Sequence, residues 1–223
     1  MRLFGRRSKV DGIGFREVAV LNMASAKSPG GGVRQGARAQ EEDLYRRTDI
    51  SRHTDGLKRS NRYPLRTEEA VAMIHDNITI IRGDCEEGYP FLTDRPKITV
   101  ISTAATTRPA LDTTNAVVRY VQNDDRQKMR IRIKVLLRAV IDSGCNAAAL
   151  SAFGCGAYKH PPEEVAMLFK EEIYEAGSLL PPLVFAIIDD HNTGLAHNKE
   201  VNHAVFFRIL DQPAQFTLEK AEK

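Results

Sequence analysis

The stretch that decides the fold is Gly30-Gly31-Gly32-Val33-Arg34-Gln35-Gly36-Ala37-Arg38-Ala39-Gln40-Glu41-Glu42. Three consecutive glycines have no Cβ, so the backbone can turn through positive φ and let a ligand approach the main chain. Seven residues further on, an amide and two carboxylates open a segment that reads as a helix from Gly36 to about Thr48. Upstream, Glu17-Val18-Ala19-Val20-Leu21-Asn22-Met23 is almost continuously apolar, as a strand covered on both faces is. Strand, glycine loop and helix follow one another as in an α/β unit, with acid chemistry placed just after a phosphate-tolerant turn.

Outward from this stretch the alternation continues. Asn77 to Arg82 and Lys97 to Ser102 read as β-branched strands, and Asn123 to about Ser143 as the strongest helix, with Met129, Ile133, Leu136, Leu137 and Val140 in an apolar stripe. On that helix Arg126, Lys128, Arg130, Arg132 and Lys134 are expected to face solvent. Asn146 to Ala152 reads as a strand, Pro161-Pro162 opens a helix to about Glu175, and Leu183 to Ile188 is a last buried strand. A final helix is predicted over roughly Asn198 to Leu210, with loops over 49–66 and 104–111. The fold class is α/β, a mixed or largely parallel sheet between helices. Residues 1–16 read as a flexible basic lead-in, 17–210 as one domain and 211–223 as a charged tail.

Composition narrows the function. A chain of 223 residues with 42% hydrophobic and 27% charged residues is an ordinary globular one, and a formal net charge of +3 permits an anionic ligand without arguing for nucleic acid. Its three cysteines, Cys85, Cys145 and Cys155, form no CxxC pair, which points to a reducing, cytoplasmic compartment. No apolar run approaches the roughly 18 residues that span a bilayer, and the N-terminus lacks the apolar segment of a secretory signal.

In α/β sheets ligands bind at the carboxyl ends of strands. Two glycine loops fall there, Gly30–Gly32 and Gly154-Cys155-Gly156, and together they suit a diphosphate. Each motif has a plainer reading. The triple glycine alone is a flexible turn, and the glutamates could be helix ion pairs, Glu42 with Arg46 and Asp43 with Arg47. Consecutive helical residues diverge by about 100°, so Glu41 and Glu42 have different tasks, one on a sugar hydroxyl and one as acid. An acid catalyst must hold its proton near neutral pH. Burial and a neighbouring carboxylate favour that, and a helix N-terminus opposes it. Cys155 as a thiol nucleophile would need His160 as its base. Asp189, Asp190, His191 and Asn192 read as a turn in preference to a metal site.

Taken together, LNMASAKSPGGG (21–32), the QEE at 40–42, AFGCGAY (152–158) and VFAIIDD (184–190) resemble the bacterial-type (microbial) poly(ADP-ribose) glycohydrolases. The resemblance covers about residues 17 to 210 and implies a macrodomain-like fold shortened at its N-terminus, since only about sixteen residues precede the first core strand. It implies Glu42 as the acid that protonates the oxygen leaving the anomeric carbon of the terminal ADP-ribose, and Glu41 as the residue that orients the ribose. It further implies Gly30, Gly31, Gly32 and Val33 around the distal ribose and diphosphate, with Gln40 in the same signature. Gly154, Cys155, Gly156 and Ala157 would offer N–H groups to the diphosphate, and Tyr158 would lie beside the distal ribose. No metal or cofactor is implied. The expected partners are ADP-ribose polymer on modified proteins and the ADP-ribose product, with neither membrane nor nucleic acid. Two departures stand out: Ser28 replaces the usual Asn before Pro-Gly-Gly-Gly, and Gly156-Ala157-Tyr158-Lys159-His160 stands where the second loop usually continues GAFGN. A non-catalytic ADP-ribose reader and a mono-ADP-ribosyl hydrolase are the alternatives.

Overall fold

The computed structural model describes residues 18–57, 63, 65, 69–115, 117–188 and 200–211. The lead-in, the turn at Asp189 to Asn192, the start of the last predicted helix and all of the tail but Asp211 lie outside the described residues. The main sheet holds β1 (Val18–Met23), β2 (Ala72–Thr79), β3 (Lys97–Thr103), β6 (Ala147–Leu150) and β7 (Leu183–Phe185), in the order β2-β3-β1-β6-β7. β3, β1, β6 and β7 are parallel, and β2 runs antiparallel to β3. The sheet is thus mixed, as the sequence suggested. A two-stranded ribbon, β4 (Leu111–Asp112) and β5 (Arg119–Tyr120), lies outside it.

Both faces are covered. Ala19, Leu21 and Ile101 point into a core built with α3 (Asn123–Asp142) and α4 (Pro162–Ala176), closed by Phe206 of α5 (Asn202–Leu210). Ile78, Ile98 and Val100 point the other way. They meet Ile50 of α2 (Ile50–Thr54) and Tyr45 of α1 (Gln40–Arg47). Period-two alternation along β1 and β3 sorts these residues, and apolar side chains on both faces explain why the strands read as continuous apolar runs.

The structure shifts several expected boundaries. The helix predicted from Gly36 starts at Gln40, because Gly36 has φ of 82° and caps a short 3-10 turn over Val33–Gln35. β2 begins at Ala72 and bulges between His75 and Ile78, with Asn77 at φ of 60°. Residues 80 and 82 make only isolated bridges. Ala, Met and His carry little strand signal, so the sequence showed only the isoleucine-rich end. α2 lies within the predicted loop 49–66. Its one buried apolar residue, Ile50, plugs the second core and leaves no periodicity to read. Arg132, expected on the solvent face of α3, is buried and donates to the Lys128 carbonyl at 2.9 Å. Arg126 and Arg130 instead reach across to Glu164 and Glu172 of α4.

This topology places the site. After β1 the chain turns to α1 on one face, and after the adjacent β6 it turns to α4 on the other. The two glycine loops leave neighbouring parallel strands in opposite directions and open a crevice between them.

Candidate active site

The carboxylates of Glu41 and Glu42 are both buried, 3% and 6% exposed, in the first turn of α1. The backbone of the first glycine loop holds them there. Glu41 accepts the Ser25 N–H on Oε2 at 2.7 Å and the Gly30 N–H on Oε1 at 3.0 Å. Glu42 accepts the Gly32 N–H on Oε1 at 2.8 Å, while its Oε2 is buried with no partner among the described residues. Gly31 lies between the two. Its φ is 51°, and a Cβ there would come within 3.0 Å of Glu41 Oε2 and overlap Glu42 Oε1. Only glycine satisfies both the left-handed backbone and the close approach.

The plainer reading of the glutamates is half realised. Asp43 pairs with Arg47 at 3.3 Å, but Arg46 donates to the Ala37 carbonyl and leaves Glu42 to the loop. A buried carboxylate oxygen without a partner costs on the order of 1–3 kcal/mol, so Glu42 is not placed by stability alone.

Burial pushes the Glu41 carboxyl from 4.5 up to about 7. The Ser25 and Gly30 N–H groups and a hydrogen bond from Asn22 pull it down, and the charge of Glu42 pushes it up. The sign for stability follows. Glu41 binds its proton more tightly folded than unfolded, so its contribution is complete below about 4.5 and lost as pH rises through about 7. Unfolding free energy should therefore fall by about 3 kcal/mol across that window from this group. Urea melts of wild type and Glu41→Gln at pH 5 to 8 check it. The difference between the two proteins should slope with pH, and parallel curves would contradict it.

Gln40 brackets the end of β1. Its Nε2 donates to the Leu21 carbonyl at 2.6 Å and its Oε1 accepts the Met23 N–H at 2.9 Å. In the first loop Gly30, Gly31, Gly32 and Val33 all spend their N–H groups internally, Gly31 on Ser28 and Val33 on Gly30. In the second loop the Cys155 N–H is taken by Ala152 at 3.0 Å. The N–H groups of Gly154, Gly156, Ala157 and Tyr158 have no acceptor among the described residues. The open donors are thus those of the second loop. Tyr158 crosses the crevice, its hydroxyl 3.5 Å from the Ala24 carbonyl. Burial, then the charges of Glu41 and Glu42, raise its pKa.

The family model described as "Microbial-type PARG, catalytic domain" matches residues 5–81, which take in β1, the first glycine loop and both glutamates. Over residues 5–81 the chain is similar to the catalytic domain of microbial poly(ADP-ribose) glycohydrolases. Among solved structures, the poly(ADP-ribose) glycohydrolase of Thermomonospora curvata is 24% identical. The match covers 86% of this chain and 68% of that one, with a TM-score of 0.68. The same enzyme bound to the inhibitor ADP-HPD gives 24%, 86%, 70% and 0.67. The Deinococcus radiodurans poly(ADP-ribose) glycohydrolase in complex with ADP-ribose is 25% identical. That match covers 87% of this chain and 75% of that one, with a TM-score of 0.66. No curated protein sequence matches. The glycohydrolase likeness thus covers the α/β fold and, through the family signature, the segment that bears both carboxylates.

Cys155 has no nucleophile's setting in this glycohydrolase-like fold. It is 3% exposed, its thiol touches the Phe153 carbonyl, and burial raises its pKa far out of the thiolate range. His160, the histidine nearest to it in sequence, is committed elsewhere. Nε2 lies 2.8 Å from the Thr106 carbonyl, which can only accept, so Nε2 carries the proton and Nδ1 accepts from the Tyr120 hydroxyl at 2.7 Å. The His160 backbone N–H also donates to the Gly154 carbonyl at 3.1 Å. Through its ring and its backbone together, His160 ties the second glycine loop to the loop after β3 and to β5. Tyr120→Phe leaves Nδ1 buried and unpaired, and should cost about 1–2 kcal/mol in a urea melt.

Sequence reading passed over Asn22, Tyr45 and Tyr63. Asn22 is buried, donates to Ser102 Oγ at 3.0 Å, and keeps a buried Oδ1 without a partner among the described residues. Its signal was visible as the one polar residue within the apolar run of β1. The Tyr45 ring is what a Cβ on Gly30 would strike at 2.7 Å, and Tyr63 packs against Ala24 and Ala26 beneath the loop. Neither carries a sequence signal apart from ordinary core aromatics. Among the described residues no cluster of three or more His, Cys, Asp or Glu could hold a metal ion.

Proposed function

We propose that this chain is a glycosidase-type hydrolase, a poly(ADP-ribose) glycohydrolase that cleaves the ribose–ribose O-glycosidic bond and releases ADP-ribose. The observation that carries the reading is the Glu42 carboxylate, anchored on one oxygen by the Gly32 N–H and buried on the other without a partner among the described residues. Protonated Glu42 delivers its proton from Oε2 to the oxygen leaving the anomeric carbon. The C–O bond breaks with its electron pair on that oxygen, and an oxocarbenium-like centre forms. Water adds to this centre and returns a proton to Glu42.

The other residues support that step. The second-loop N–H groups at Gly156, Ala157 and Tyr158 receive the terminal diphosphate. Glu41 acts mainly as the brace of the first loop, since both its oxygens already hold backbone N–H groups. A ribose hydroxyl shares its remaining lone pairs. The substrate is the polymer on modified proteins, and three free cysteines fit work in the reducing cytoplasm.

Incubation with poly(ADP-ribosyl)ated protein tests this directly. Free ADP-ribose should accumulate. A protein that binds ADP-ribose and releases none would be a reader instead.

A further inference from the structure

The loop between the glycines and the glutamates carries charge that the reaction step does not use. Residues 24–39 contain three cations, Lys27, Arg34 and Arg38, and no carboxylate, in a chain whose whole formal net charge is +3. Arg34 and Arg38 are exposed, and neither makes a hydrogen bond or ion pair with its side chain among the described residues. Other arginines of the chain are neutralised: Arg126 by Glu164, Arg138 by Asp142 and Arg208 by Glu200. Arg34 sits within the turn closed by the Ala37 N–H on the Gly32 carbonyl at 3.1 Å, and Arg38 follows that turn directly. Gly32 is the residue whose own N–H holds Glu42.

We infer that Arg34 and Arg38 bind the diphosphate of the penultimate ADP-ribose, and so make the site selective for chains over single ADP-ribose groups. The inference rests on the hydrolase reading. In that reading the terminal diphosphate goes to the second glycine loop, across the crevice. The exocyclic oxygen faces Glu42 Oε2, so the unit bonded through that oxygen leaves past the turn that Gly32 begins. Its diphosphate is then the nearest polyanion to Arg34 and Arg38. Guanidinium groups suit it because they can grip phosphate oxygens bidentately and stay charged at every working pH.

The test uses Glu42→Gln protein, which retains the site without turning substrate over, and two probes: monomeric ADP-ribose and an ADP-ribose oligomer of defined length. Adding Arg34→Ala and Arg38→Ala should weaken oligomer binding about tenfold and leave monomer binding within about twofold. The plot of log affinity against log salt should flatten by roughly 0.7 for each phosphate that the arginines no longer neutralise. Arg34→Lys with Arg38→Lys should recover part of the affinity. Equal oligomer affinity with and without the arginines overturns the inference, as does a parallel loss of monomer binding. Competition by single-stranded RNA of equal charge as strong as by the oligomer also overturns it, in favour of an unselective polyanion surface. If neither probe binds the Glu42→Gln protein, the hydrolase reading falls and takes this inference with it. If both bind and the arginines make no difference, this inference falls alone.

Discussion

Glu42→Gln should lower the rate of ADP-ribose release at least about a hundredfold, the lower scale of a general acid's contribution. The amide keeps the shape of the carboxyl and still offers an oxygen to the Gly32 N–H, which Glu42 Oε1 meets at 2.8 Å. What it loses is the proton at the second position, where Oε2 is buried and without a partner among the described residues. The effect should fall on kcat, because an interaction made only as the bond breaks does not help the ground state. Affinity for ADP-ribose should stay close to wild type. Steady-state kinetics on polymer, with calorimetric binding of ADP-ribose, separates the two quantities. Full activity in the variant would remove Glu42 from the chemistry.

Gly31→Ala should be almost as damaging, although it removes no titratable group. At φ of 51° an L-residue is strained by on the order of 1 kcal/mol, and the new methyl group overlaps Glu42 Oε1 and lies 3.0 Å from Glu41 Oε2. Both carboxylates must shift, and their hydrogen bonds from Gly30 and Gly32 must lengthen. A displacement of about 1 Å at a catalytic group costs about a hundredfold in rate. Activity should fall by that order, with stability reduced by about 1–3 kcal/mol. A Gly31→Ala protein that folds and keeps activity within tenfold of wild type would show that the loop does not set the carboxylates.

The two variants act through one geometric fact, and the sequence revealed it unevenly. Spacing placed Gly30–Gly32 and Glu41-Glu42 on the same strand-loop-helix unit, and the apolar runs of β1 and β3 announced a sheet covered on both sides. Such features are local, and backbone preference and periodicity record them. The hydrogen bonds that join Gly30 to Glu41 and Gly32 to Glu42 span 11 and 10 residues, and no periodicity reports a bond across a turn. Asn22 shows the same limit. Its polarity stood out in β1, but its neighbours Ser102 and Glu41 come from β3 and α1. α1 starts four residues beyond the expected Gly36 because that glycine serves as a C-cap, and a glycine's sign of φ is not written in its neighbours. His160 looked like a base for Cys155 because the two are close in sequence. In the fold it is held by Thr106 and Tyr120, residues more distant in sequence.

The most direct test of the central claim is a crystal structure of the protein with ADP-ribose bound. The anomeric hydroxyl of the distal ribose should lie about 3 Å from Glu42 Oε2, with the diphosphate over the N–H groups of Gly156, Ala157 and Tyr158. An ADP-ribose bound with its anomeric carbon away from Glu42, or with its diphosphate away from the second glycine loop, would contradict the account.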